Sequence, residues 1–317
     1  MLDQVQTEPD PVEFPHRSRI CAAIVTYNIG QALHRCVDAI KSQVGHVLIV
    51  DNGSDEPTRC ELNRLTASDS VTVILNERNE GIARAFNQAV QWARSAGFLW
   101  ILLLDHDSEA TPGMVDELVR GYEALDRAGI RDVGILAANP FDRNIQQYLY
   151  FPPRANGGLP LRGGEVISAG SLIRLRVFDV VGPFNEDLFI YFVDVDFYKR
   201  LLRAGFGAYI CPEAVFLHQE GTKKRHRFLW IDAWYEHYGK EARYYLTRNT
   251  IYVIRKLPVS RSDIKVLIHR LWTDHVNILL FDKGRFGVLW LSFRGLIDGL
   301  RGKVGPMDTI SKAGSIR

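Results

Sequence analysis

The sequence predicts an open α/β sheet with helices on both faces, followed by a helical C-terminal region. Three observations carry this. Continuous apolar runs at 20–25, 47–50 and 98–104 suit strands buried on both faces. Between them, apolar residues recur at helical spacing, most clearly Ile82, Ala85, Phe86, Ala89, Val90 and Ala93. Each strand-like run ends in a polar cluster, where an α/β sheet presents its carboxyl edge to a ligand.

In chain order, residues 1–17 are polar and rich in Asp, Glu and Pro, and are expected to be a flexible lead rather than a signal peptide. The run at 20–25 passes into Thr26-Tyr27-Asn28, and Leu33, Cys36, Val37 and Ile40 then share a helical face. The run at 47–50 stops at Asp51-Asn52-Gly53-Ser54. Val71, Val73 and Leu75 alternate as a third strand. Gly97 closes the clearest helix, and the strand at 98–104 leads into Asp105-His106-Asp107. Residues 140–164 read as a long loop and 166–175 as a strand. A helix over 194–204 is closed by Gly205, and short apolar pieces lie at 209–211 and 215–217. From Trp230 onward the pattern is aromatic-rich amphipathic helix. The expected division is a lead at 1–17, an α/β domain at 18–225 with halves 18–110 and 111–225, and a helical region at 226–317.

Apolar residues make up 46% and charged residues 24%, a balance that excludes a disordered or fibrous chain. The net charge is only +2, yet residues 251–317 hold twelve Lys/Arg against five Asp/Glu. That basic end suits an anionic membrane surface or a pyrophosphate-bearing acceptor, or is simply a solvated helical face. Cys21, Cys36, Cys60 and Cys211 lack C-x-x-C spacing and read as free thiols in a reducing compartment. The longest apolar run, 98–104, is too short to span a bilayer.

Asp105-His106-Asp107 carries the sharpest chemistry. Two carboxylates one residue apart, just past a buried strand, offer a hard oxygen site for Mg²⁺ or Mn²⁺ and a diphosphate; they could instead cap a helix starting near Pro112. Asp51 can accept from a pyrimidine imide N–H or a ribose hydroxyl, while Asn52-Gly53-Ser54 is also a plain turn. Asn79 and Gly81 open a helix whose N-terminus favours anions.

Together Val25-Thr26-Tyr27-Asn28, Val50-Asp51-Asn52-Gly53-Ser54, the stretch Asn79-Glu80-Gly81-Ile82-Ala83-Arg84-Ala85-Phe86-Asn87 and Leu104-Asp105-His106-Asp107-Ser108 resemble the nucleotide-sugar half of the family 2 glycosyltransferases, whose fold is called GT-A. The rhamnosyltransferase branch comes nearest. The resemblance implies that Thr26, Tyr27, Asp51, Asn52, Asn79 and Gly81 hold the nucleotide-sugar, that Asp105 contacts ribose or metal, and that Asp107 ligates the metal. It extends to about residue 250. Ser168-Ala169-Gly170-Ser171 and Gly182-Pro183-Phe184-Asn185-Glu186 are similar to the acceptor side. Val193-Asp194 stands where the family often has Glu-Asp, which implies Asp194 as catalytic base, with Asp196 next in line, against helix N-capping, which is expected of at least one of the two. His218 is implied as a further metal or diphosphate contact, against a purely structural role. Arg248, within Arg243-Tyr244-Tyr245-Leu246-Thr247-Arg248-Asn249, is implied as a diphosphate contact, against capping a helix or stacking on the tyrosines. Lys223-Lys224-Arg225-His226-Arg227 reads as a basic loop near the acceptor or a solvated loop.

The implied activity is inverting, metal-dependent transfer of a sugar, L-rhamnose from dTDP-rhamnose first, with UDP-galactofuranose or a UDP-hexose behind it. The expected acceptor is a glycan or lipid-linked hydroxyl in cell-surface polysaccharide synthesis, and nucleic acid is not an expected partner. Trp272, Trp290 and Phe293 could rest at a bilayer, bury a homo-oligomer contact or pack on the catalytic domain. The expected place is the cytoplasm, at the inner face of the membrane. A nucleotidyltransferase needs a Gly-rich, Arg-containing loop that Thr26-Tyr27-Asn28-Ile29-Gly30 does not supply. A catalytically inactive binding relative is the other class considered.

Overall fold

The computed structural model describes residues 14–155, 157–218, 223–228, 231–257, 259–282 and 284–308, with side chains left aside at 223–228 and 231–236. The first half alternates as read: β1 (Ile20–Thr26), α1 (Ala32–Ile40), β2 (His46–Asp51), α2 (Glu56–Leu65), β3 (Val71–Leu75), α3 (Ile82–Ser95) and β4 (Trp100–Asp105). The strands pair in parallel in the order β3-β2-β1-β4. Every residue of β1 is buried, as its unbroken apolar run requires of a central strand.

The second half is β5 (Glu109–Ala110), α4 (Met114–Arg127), β6 (Val133–Asp142), β7 (Gln147–Tyr148), β8 (Leu161–Arg162), β9 (Ser171–Arg174), α5 (Val177–Val181), α6 (Val193–Arg203) and β10 (Gly207–His218). Here the sheet turns mixed. β9 inserts antiparallel between β4 and β6, β10 runs parallel to β6, and β5 pairs antiparallel with β10. Apolar clusters fill both faces of the sheet. The long loop expected at 140–164 holds two short strands that extend this sheet, and the strand expected at 166–175 shrinks to β9.

β11 (Lys223–Phe228) and β12 (Ile231–Glu236) form an antiparallel hairpin. Residues 225 and 226 both lie inside β11, so the domain division expected there falls within a strand, and the basic stretch 223–227 is strand rather than loop. The helical region begins at Lys240, with α7 (Lys240–Lys256), α8 (Arg261–Phe281) and α9 (Arg285–Arg301). α9 packs closely on α7, where Thr247 meets Ser292 at 2.7 Å and the Tyr244 hydroxyl donates to Asp298 at 3.0 Å. Trp272, Trp290 and Phe293 do not pack on the catalytic domain: all three are exposed. Most of the lead, 1–13, lies outside the described residues, but Phe14 packs edge-on against Tyr122 and Arg17 pairs with Asp116. Cys21, Cys36 and Cys211 are buried free thiols and Cys60 is exposed. Among the described residues no helix is long and apolar enough to cross a membrane.

Candidate active site

Strand register assembles the site. Parallel pairing sets Thr26 beside Asp51 and Val25 beside Asp105, so three polar clusters far apart in sequence end on one edge. They open into a cleft of about 300 Å³ lined by Thr26, Tyr27, Asn52, Asn79, Gly81, Asp105, His106 and Asp107, a volume at the low end for small-molecule sites. At its floor Asn52 is locked by its backbone N–H to the Thr26 carbonyl (2.9 Å), and its Oδ1 accepts from Asn76 and the Glu80 N–H. Asp51 is fully buried; Oδ2 accepts from the Ser54 N–H at 3.1 Å, while Oδ1 has no protein partner. Thr26 Oγ1 is likewise buried and unpartnered. Buried polar atoms without partners are costly, about 1–3 kcal/mol each, and a ligand N–H or O–H would relieve them.

The acidic end is built by the mixed part of the sheet. Pairing of Leu217 with Glu109 and Phe216 with Ala110 carries His218 to the Asp105–Asp107 turn. One donor atom from each of Asp105, Asp107 and His218 lies within 4.8 Å of the others, and His218 Nδ1 stands 3.5 Å from Asp107 Oδ1 without a hydrogen bond. Two carboxylates and an imidazole with one nitrogen unsatisfied could hold a divalent cation. Burial raises the Asp105 pKa, partly opposed by His218 and reinforced by Asp107. Neither aspartate caps α4, whose N-cap is Gly113.

Asp194 sits in the first turn of α6, in a small recess lined by Ser168, Ser171 and Phe184. Its Oδ1 accepts from the Val195 N–H at 2.9 Å, and burial holds its pKa above the ordinary carboxylate range. The recess shares no lining residue with the cleft, so Asp194 does not line the pocket onto which Asp105 and Asp107 open. Asp196 instead pairs with Arg200 at 2.8 Å and is structural. Neither is the N-cap of α6, a place taken by Phe192.

The model of glycosyl transferase family 2 matches residues 21–182, half of the chain. The chain belongs to that family. The transferase is 26% identical over 301 residues to the dTDP-rhamnosyl transferase RfbF of Shigella flexneri, covering 91% of this chain and 97% of the relative. It is also 26% identical to the galactofuranosyltransferase GlfT1 of Mycolicibacterium smegmatis, covering 90% and 94%. Among solved structures, the mannosyltransferase PcManGT of Pyrobaculum calidifontis, in complex with GDP-Man and Mn²⁺, aligns with a TM-score of 0.50 at 16% identity, covering 95% of this chain and 79% of that one. The fold is GT-A-like, and the protein is a glycosyltransferase.

One of the transferase's expected contacts is corrected by the geometry. Arg248 does not face the cleft: it is 1% exposed, and its guanidinium donates to the carbonyls of Asp187, Leu188 and Gly305 and to Asn249 Oδ1. Gly81 lines the cleft, but its close approach is to protein: a Cβ there would meet the Phe189 carbonyl at 2.6 Å, and the Ile82 N–H already donates to that carbonyl. The helix end expected to greet an anion is therefore partly occupied. Asn79 turns its Oδ1 to the Gly81 N–H, and Tyr27 is exposed at the mouth. Sequence reasoning missed His106, Phe189 and Ile190 as cleft walls. His106 was legible only as the spacer of the two aspartates, and nothing in the pattern of Phe189 and Ile190 separates a wall from a core.

Proposed function

We propose that the transferase moves a sugar with inversion from a nucleoside diphosphate donor to a hydroxyl of a glycan or lipid-linked acceptor, L-rhamnose from dTDP-rhamnose being the first candidate. The observation that supports this is one cleft lined by Thr26, Asn52, Asp105 and Asp107, with the unsatisfied Asp51 Oδ1 buried on the neighbouring strand beside Thr26 and His218 completing the acidic cluster. The carboxylate of Asp51 suits the imide N–H shared by thymine and uracil, and the hydroxyl of Thr26 can give or accept. Asp107 and His218, with Asp105, would hold the cation, whose chemistry when bound is to neutralise charge on the leaving diphosphate. Asp194 would take the acceptor hydroxyl proton as that oxygen bonds to the anomeric carbon and the bond to the diphosphate breaks. A UDP-galactofuranose donor fits the same imide chemistry and has GlfT1 as its support.

A lipid-borne acceptor agrees with the surface of α8 and α9. Phe286, Trp290, Phe293 and Leu300 recur at i, i+4, i+7 and i+14 along α9 and are all exposed, Phe286 by 79%. Arg261, Lys265, Arg270, Arg285 and Arg301 stand exposed with no carboxylate partner among the described residues, whereas Asp274 and Asp282 turn inward to Arg243 and His237. Exposed aromatics with unpaired cations suit the cytoplasmic face of an anionic bilayer. Joining two copies through this face would set like charges together.

Thermal-shift titration with dTDP, UDP, GDP and their sugars, with and without Mn²⁺, tests the reading. Metal-dependent stabilisation by dTDP-rhamnose together with its slow hydrolysis is expected. Indifference to every pyrimidine nucleotide would sink the proposal, and preference for UDP-galactofuranose would move it to the second donor.

A further inference from the structure

The segment that joins the cleft wall to α6 has an unusual backbone. Phe189, Tyr191 and Phe192 have φ of 64°, 62° and 63°, a left-handed region that bulky residues avoid. Phe189 and Ile190 wall the cleft, and Asp194 lies two residues beyond Phe192.

One face of α7 grips this segment. Tyr245, Arg248, Asn249 and Tyr252 fall at i, i+3, i+4 and i+7, so they share a side of the helix. Tyr245 stacks on Phe189 with ring centroids 4.9 Å apart. Arg248 Nη2 donates to the carbonyls of Asp187 and Leu188 at 3.2 and 2.9 Å. Asn249 Nδ2 donates to three carbonyls, those of Leu188, Ile190 and Tyr191, at 3.0, 2.7 and 3.0 Å. The Tyr252 hydroxyl accepts from Asn185 Nδ2 at 3.0 Å. Arg248 Nε also donates to Asn249 Oδ1 at 2.9 Å, which fixes the amide with its nitrogen toward the segment.

We infer that Asn249, seconded by Arg248, is a positioning residue for transfer, holding residues 187–192 so that the cleft wall and Asp194 keep one mutual geometry. This rests on the reading of the cleft as the donor site and of Asp194 as the base. The bonds of Asn249 go to this segment and to Arg248, whereas α7 is tied to α9 through Thr247 and Tyr244. Removing the amide N–H groups therefore frees the segment and leaves the helix pair anchored. The nucleoside end of the cleft, at Thr26, Asp51 and Asn52, is built by β1 and β2 and should not feel the change.

The test is Asn249→Asp, which keeps the shape and sets an acceptor against three carbonyls, with Arg248→Lys as a milder second variant. Melting temperature, Kd for dTDP and UDP with Mn²⁺, kcat and KM for transfer, and donor hydrolysis are compared with wild type. For Asn249→Asp, nucleoside diphosphate affinity is expected to stay within about threefold while transfer kcat falls about 10²-fold, the scale of an ångström of misplacement. Hydrolysis should fall less than transfer, because water tolerates a displaced base better than a bulky acceptor does. A folded variant with wild-type kcat overturns the inference. So does a loss of kcat that merely tracks melting temperature and affinity. If Asn249→Asp does not fold, Arg248→Lys is read by the same two outcomes with a loss nearer tenfold. Failure of the underlying reading looks different: the wild type itself then binds no pyrimidine nucleotide, and the inference falls with it.

Discussion

Burial raises the pKa of Asp194, and the sign of that shift links activity to stability. The folded chain disfavours the ionised carboxylate, so above the ordinary Asp value the native state keeps a proton that the unfolded chain has released. Across that window stability falls as pH rises, and above it the carboxyl is a net cost to the fold. Asp194→Asn should therefore melt higher than wild type, by roughly 2–4 °C for each kcal/mol released, while transfer drops about 10²–10⁴-fold. Calorimetry at pH 7 beside a transfer assay reads both; a variant that melts lower would mean the carboxylate is stabilised rather than strained. For the cluster at the other end of the cleft, His218→Ala should raise the Mn²⁺ needed for half-maximal activity about tenfold, equivalent to ~1.4 kcal/mol, and Asp107→Asn should remove the metal response. A metal titration in which both variants match wild type would exclude these ligands. At this scale the meeting of Thr26, Asp105 and Asp107 on one edge was legible because strand ends in an α/β sheet are where ligands sit, whereas His218 was suggested by the family resemblance alone. Arg248 was misread because a sequence does not disclose that carbonyl oxygens already surround a guanidinium, and Asn249 was missed for the same reason.

At the level of elements, two close approaches make sharp demands. Gly81, at φ 88°, lies against the Phe189 carbonyl. Gly81→Ala combines a strained backbone with a clash and should destabilise by about 1–3 kcal/mol. Because the same contact joins α3 to the 187–192 segment, transfer should suffer with it; an unchanged melt and rate would contradict this. On α9, a Cβ at Gly295 would stand 2.4 Å from the Tyr244 carbonyl, and one at Gly299 2.9 Å from that of Arg248. These glycines let α9 seat against the back of α7. Gly295→Leu should lever the pair apart, seen as a lower melting temperature and weakened transfer. The βα alternation of the first half was readable because period and apolar runs are local signals. Strand direction is not local: the run at 166–175 says nothing about β9 lying antiparallel between β4 and β6, and the aromatic-rich run after Trp230 read as helix although 231–236 pairs as a hairpin strand.

For the whole molecule, the uneven charge seen in the sequence becomes a surface. The basic excess of residues 251–317 is presented on α8 and α9 around exposed Trp272, Trp290 and Phe293, while the inward carboxylates Asp274 and Asp298 tie α8 and α9 to α7. Vesicles containing phosphatidylglycerol should sediment the protein and pure phosphatidylcholine vesicles should not, each engaged cation adding about 1 kcal/mol. The pair Trp290→Ser and Phe293→Ser should abolish that binding without lowering the melting temperature. Equal recovery on both lipids would refute an anionic surface.

The strap at 305–307 has a consequence for synthesis. The Gly305 N–H donates to the Asp187 carbonyl at 2.7 Å and the Met307 N–H to the Tyr245 hydroxyl at 2.8 Å, joining stretches some sixty to one hundred and twenty positions apart in the polypeptide. During translation β1–β4 can form early, since their partners follow soon after one another, but the ties that 305–307 add to Asp187 and Tyr245, beyond the grip of α7 itself, wait until residue 307 has left the ribosome. A nascent chain thus holds its nucleotide floor long before its machinery for transfer is in place, and a chain halted at residue 302 should bind nucleotide yet turn over poorly.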